Sequence, residues 1–207
     1  MILGITGGLG CGKSTTARQF ERRGFLRLDS DELVRDRVLT DPEVLAAIRD
    51  HFGAGVATLE GGVNRAALAG VVFGDDAERI WLEKLTHPVV FDLWRATLAS
   101  DPAADWALEV PLLFEQFLEN WFDFTLCVAC GEGQQLLRLE QRGFNRTLAG
   151  QRISKQLPLA RKIELSDFVL WNEGSVDFLQ EQVDRVVDSL RSAPSPSPSR
   201  PASTIIP

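Results

Sequence analysis

The sequence predicts an α/β fold, a parallel sheet with helices on both faces, carrying a helical insertion subdomain and a lid. Three observations point to it. Short apolar runs recur between stretches of helical periodicity, a glycine-rich turn joins the first run to the first helix, and a helical stretch separates the second run from the third.

Residues 1–6 form a short apolar run that leads straight into GGLGCGKST. Residues 14–23 read as a helix with Ala17 and Phe20 facing inward and Gly24 as its stop. Residues 25–29 give a second strand, broken only by Arg27. Strand, glycine turn, helix and strand make a βαβ unit, whose crossover is right-handed. Three further buried strands are predicted at 106–110, 122–128 and 168–171, separated by helical patterns. The stretch 32–105, about 70 residues, is too long for a structureless loop and reads as a helical subdomain. Within it Asp41-Pro42 starts one helix and Asp75-Asp76-Ala77-Glu78 has the spacing of a capping box. His87-Pro88 is expected to interrupt a helix, because the residue before proline avoids the helical region. DxxG at 50–53 reads as a helix end. The proline–serine tail, 192–207, is expected to be disordered.

The chain has 207 residues, 44% of them hydrophobic and 25% charged, which suffices for one globular domain with a sizeable core. No apolar stretch approaches the roughly 18 residues of a membrane span, and the start lacks the basic region of a secretory signal. Three cysteines are too few for a disulfide framework and fit a reducing compartment, so a cytoplasmic location is expected. The net charge of −7 argues against a nucleic-acid surface. Residues 134–162 nevertheless hold seven cations and one acid, a local +6 that suits a small anionic ligand or a solvated helix face.

Gly7-x-x-x-x-Gly12-Lys13-Ser14 matches the phosphate-binding pattern GxxxxGK[ST] in full and sits between a strand and a helix. Glycines let successive backbone N–H groups face phosphate oxygens. Gly7, Gly8, Gly10, Cys11, Gly12, Lys13, Ser14 and Thr15 are therefore the expected ATP-binding loop of a P-loop NTPase-type sheet. Lys13 supplies charge for the β- and γ-phosphates, Ser14 a hydroxyl for Mg²⁺, and the helix its positive dipole end. Glu109, at the end of the third strand, either holds Mg²⁺ through water or is a strand-end charge. No asparagine starts the NKxD motif of a regulatory GTPase, and the one carboxylate of Glu109 falls short of the clear aspartate or Asp-Glu pair that usually ends a strand in an ATPase motor. Small size, a helical insertion and an arginine-rich segment point instead to phosphoryl transfer onto a small molecule.

Such a kinase needs a group to accept the acceptor's hydroxyl proton. Asp29-Ser30-Asp31-Glu32 lies at the carboxyl end of the second strand, where ligands bind in open α/β sheets. Asp31 is the expected base, and Asp29 a structural, metal-linked or helix-capping group. Arginines of the +6 segment would close over the phosphates.

These residues resemble the dephospho-coenzyme A kinase family over about residues 2–190. The resemblance rests on ITGGLGCGKST, LDSDELVR, HFG, LEKLTHP, EVPLLFE, RIxxQ and DFVLWNEG, in that order. It implies a nucleotide core (about 1–31, 106–133 and 163–191), an acceptor-binding helical insertion (32–105) and a mobile lid (134–162). It implies ATP and dephospho-coenzyme A as substrates, with Mg²⁺, and no nucleic-acid, membrane or obligate protein partner. Asp31 resembles the family's base; Arg35, His87, Pro88, Leu112 and Phe114 would meet the acceptor. Arg138 and Arg142 look like lid arginines that reach ATP, with Arg142 catalytic beside Lys13 and Asp31, and Asn172 like an adenine-side contact. Cys11 and Ser30 depart from the commoner serine and alanine.

Cys127-x-x-Cys130 reads as core and strand-end thiols, because residues three apart on a strand point to opposite faces. His51 reads as a helix-end surface residue and the five tryptophans as packing. Two other readings stay open: another small-metabolite or nucleoside-monophosphate kinase, and a non-catalytic nucleotide switch.

Overall fold

A computed structural model describes residues 1–58 and 61–192 of the chain. The elements run β1 (Ile2–Gly7), α1 (Lys13–Arg22), β2 (Leu26–Asp29), α2 (Ser30–Leu33), α3 (Pro42–Phe52), α4 (Arg65–Gly74) and α5 (Asp76–Ser100). They continue with β3 (Trp106–Glu109), β4 (Phe124–Ala129), α6 (Glu132–Gln141), α7 (Arg146–Ser154), α8 (Leu159–Leu165), β5 (Phe168–Trp171) and α9 (Val176–Ser192). Ser192 closes α9, and the rest of the expected tail lies outside the described residues. The chain divides into two compact units, 30–102 and the remainder.

In the larger unit the five strands run parallel in the order β2-β3-β1-β4-β5. Each predicted strand forms, with no end shifted by more than two residues and 168–171 matched at both ends. β1 is the central strand, and Leu3 and Ile5 are wholly buried because helices cover both faces. Ala17 and Phe20 of α1 are buried as their spacing requires, and Leu179, Val183 and Val187 of α9 join the same core. The register places the carboxyl end of β1 beside that of β3, with Ile5 opposite Glu109, and Asp29 opposite the same Glu109. Three strand ends therefore open on one edge, the crevice of an open α/β sheet.

In the smaller unit the caps form where the sequence places them. Asp41 accepts from the N–H groups of Glu43 and Val44, and Asp75 from those of Ala77 and Glu78. α3 ends at Phe52 before Gly53, as the helix-end reading of 50–53 requires. The expected break at His87-Pro88 does not occur: α5 runs 25 residues with Pro88 inside it. A mid-helix proline costs about 3 kcal/mol. Thr86, Val90 and Trp94 are buried on α5, and burial of side chains of this size is worth about 1.5–3 kcal/mol each for the larger ones. Packing outweighs the local penalty. The Thr86 hydroxyl also donates to the Leu82 carbonyl at 2.8 Å, a bond of the kind that accompanies helix bending. His51 is exposed in the last turn of α3, as the sequence reading has it; its ring stacks on Trp81 with centroids 3.8 Å apart, and its Nε2 lies 2.5 Å from Glu78 Oε2. Among the described residues no helix is long and apolar enough to cross a membrane.

Candidate active site

The loop between β1 and α1 has its shape imposed by glycine at two points. Gly7 has φ +142°, and a Cβ there would fall 2.2 Å from the Val128 carbonyl oxygen. Gly12 has φ +98°, and its Cβ would fall 2.2 Å from the Asn172 side-chain nitrogen. A side chain at position 12 would thus meet backbone strain of about 1–2 kcal/mol as well as a clash. Gly12→Ala is expected to weaken ATP binding at least about tenfold, measured by calorimetric titration against the parent.

The carbonyls and N–H groups of the loop are held from three directions. Gln135 of α6 donates to the Leu9 carbonyl (2.9 Å), and Gln156, just beyond α7, accepts from the Leu9 N–H (3.2 Å). Asn172, directly after β5 and buried, donates to the Cys11 carbonyl (2.8 Å). Arg138 donates to the carbonyl of Asn172 (2.9 Å) and reaches those of Gly10 and Cys11 (3.5 and 3.4 Å). So Arg138 and Asn172, expected at the nucleotide, touch the loop's own backbone. Gln135 gave no signal in the sequence, and Gln156 appeared only as the end of RIxxQ.

Lys13 is buried at the start of α1, its ammonium 3.3 and 3.2 Å from the Gly7 and Gly8 carbonyls. Ser14 Oγ donates to Glu109 Oε1 at 2.8 Å, which brings together the two expected metal-side groups from β3 and α1. Arg27 of β2, noted in the sequence only as an interruption, lies 3.4 Å from Asp29 Oδ2 and 4.0 Å from Glu109 Oε2. Its guanidinium offsets two carboxylates that the strand register sets side by side. Thr15 follows on the exposed side of α1. Arg142 caps the end of α6 with its side chain exposed.

Cys11 points into the core, with its Sγ 3.5 Å from Cys130 Sγ. The hydrogen bond from Cys130 and the charge of Lys13 lower its thiol pKa to about 7 against the opposing effect of burial. Cys130, the donor of that bond, is raised, and burial pushes Cys127 up to about 12. Cys130 thus meets Cys11, consistent with reading 127 and 130 as separate core and strand-end thiols.

The remaining candidates divide between the units. Leu112 and Phe114 follow β3, Leu112 exposed and Phe114 buried. In the smaller unit Asp31 is exposed in α2, two residues along the chain from the end of β2. Arg35 pairs with Asp36 at 2.6 Å and lies 3.7 Å from Glu32. His87 is half-buried 5.7 Å from the Phe91 ring, and burial holds its pKa below the usual imidazole value; Pro88 beside it is exposed.

A five-stranded parallel sheet whose central strand delivers GxxxxGKS onto a helix N-terminus defines a P-loop nucleotide-binding fold. A family model described as dephospho-CoA kinase matches residues 1–177. The dephospho-CoA kinase of Thermosynechococcus vestitus is 41% identical over 190 residues, 91% of this chain and 94% of that one. A solved Thermus thermophilus structure superposes with a TM-score of 0.80 at 33% identity, covering 92% of this chain and 97% of the other. The dephospho-CoA kinase from Campylobacter jejuni shares the fold, with a TM-score of 0.67 at 21% identity over 91% and 96% of the two chains. This chain belongs to the dephospho-CoA kinase family.

Proposed function

We propose that the protein transfers the γ-phosphoryl group of ATP to the ribose 3′-hydroxyl of dephospho-coenzyme A, giving coenzyme A and ADP. Family membership supports the reaction, and the Ser14–Glu109 contact beside Lys13 is the observation that carries the site. The loop binds the ATP phosphates through its N–H groups and the start of α1. Gln135, Gln156, Asn172 and Arg138 fix the loop's own backbone, so those donors are in place before ATP arrives. Lys13 offsets charge on the β- and γ-phosphates, and the exposed Arg142 swings onto the transferring group.

Asp31 accepts the 3′-hydroxyl proton as the new oxygen–phosphorus bond forms and the bond to the ADP oxygen breaks. Arg35, His87 and Pro88 of the smaller unit, with Leu112 and Phe114, bind the acceptor. His87, its pKa lowered by burial, does so as neutral imidazole at neutral pH. Ser14 and Glu109 offer hard oxygen donors of the kind Mg²⁺ takes alongside nucleotide phosphates. When bound there, the ion would offset phosphate charge. Glu109→Gln is expected to raise the Mg²⁺ concentration needed for half-maximal activity about tenfold while leaving the acceptor KM near that of the parent. An unchanged Mg²⁺ requirement would return Glu109 to a strand-end charge.

The site of phosphorylation is tested by phosphorus and proton NMR of the product. A new monophosphate coupled to the ribose 3′ proton supports the reading. Phosphate at another hydroxyl contradicts it.

A further inference from the structure

Lys162 differs in its surroundings from what the basic 134–162 segment suggested. It belongs to α8, which packs on β1 and β4, and is 0% exposed. Its ammonium donates to the Pro111 carbonyl at 2.7 Å and pairs with Glu115 Oε1 at 2.8 Å. The same Glu115 oxygen accepts the Leu157 N–H (2.9 Å), and the Pro111 carbonyl accepts from Thr6 Oγ1 (3.2 Å). One buried cation therefore grips both ends of the segment 111–115, and the Pro111 end is tied to the residue preceding Gly7. Between the two grips Leu113 is wholly buried and Phe114 nearly so, while Leu112 stays exposed.

Stability alone is a weak reason for this arrangement. Apolar side chains of similar volume often replace a buried ion pair at no cost or with a gain. What the ammonium adds is a fixed shape for five residues that have no helix or strand to hold them. We infer that Lys162 is a positioning residue for the acceptor: it holds 111–115 so that Leu112, the exposed side chain between the two grips, is presented to dephospho-coenzyme A. This rests on the assignment of Leu112 to the acceptor, and does not require Lys162 to touch either substrate.

The test compares the parent with Lys162→Met/Glu115→Gln, Lys162→Met/Glu115→Met and Leu112→Ala. The readouts are Tm, ATP Kd, and kcat and KM for each substrate. The double variants remove the whole pair, so neither leaves a buried charge alone. In whichever double variant folds, the acceptor KM is expected to rise roughly ten- to a hundredfold, with ATP Kd within about twofold of the parent. A folded double variant with normal acceptor KM overturns the inference and makes the pair a stability feature. Equal losses in ATP Kd and acceptor KM overturn it as well, as does failure of both double variants to fold. Leu112→Ala separates this inference from the assignment beneath it. A raised acceptor KM in Leu112→Ala beside a normal one in the double variants rejects only the role of Lys162. A normal KM in Leu112→Ala rejects the assignment itself, and the inference with it.

Discussion

Asp31→Asn is expected to lower kcat by about 10²- to 10⁴-fold, the range for removal of a positioned general base. Asparagine keeps the size and shape of the side chain and takes away its capacity to accept the 3′-hydroxyl proton. The proposed ATP-binding loop lies in the other unit, where Gln135, Gln156 and Asn172 hold its backbone. ATP Kd measured by titration should therefore stay within about twofold of the parent, with the loss falling in the chemical step. Near-normal turnover would move the base assignment to Asp29, which lies at the end of β2 opposite Glu109.

Lys13→Met is expected to reduce kcat/KM for ATP by about 10³-fold or more. Methionine preserves much of the buried volume beneath the loop but leaves phosphate charge uncompensated at the transition state. The loss should appear in ATP Kd and in kcat, unlike that of Asp31→Asn, which leaves Kd in place. A second readout comes from Cys11. The Lys13 charge favours the Cys11 thiolate, so its removal raises that thiol pKa from about 7. Thiolate absorbance in a variant lacking Cys127 should then develop at higher pH in Lys13→Met than in its parent. An unchanged ATP Kd would contradict the phosphate role.

What the sequence made legible was chiefly local. Strand, glycine turn and helix follow from contiguous residues whose backbone demands glycine and lysine meet within one turn, so β1, the loop and α1 were readable. Capping by Asp41 and Asp75 was readable for the same reason. The break expected at Pro88 failed because a local rule met burial of Thr86, Val90 and Trp94, which only the packed helix reveals. Distance along the chain hid the rest. Cys130 meets Cys11 across 119 positions, and Gln135 and Asn172 reach the loop across 126 and 161. Lys162 belongs to a basic run that suits either a small anionic ligand or a solvated helix face; its burial follows from where α8 packs on the sheet. Glu109 was readable as a strand-end carboxylate, but its bond to Ser14 required the β1–β3 register.

The most direct measurement is ADP release from ATP and Mg²⁺, with and without dephospho-coenzyme A, using adenosine monophosphate and shikimate as decoy acceptors. Strong stimulation by dephospho-coenzyme A alone, with coenzyme A as the product, is the predicted result. Stimulation only by a decoy, or tight ATP binding with no acceptor-dependent turnover, would contradict the proposed reaction.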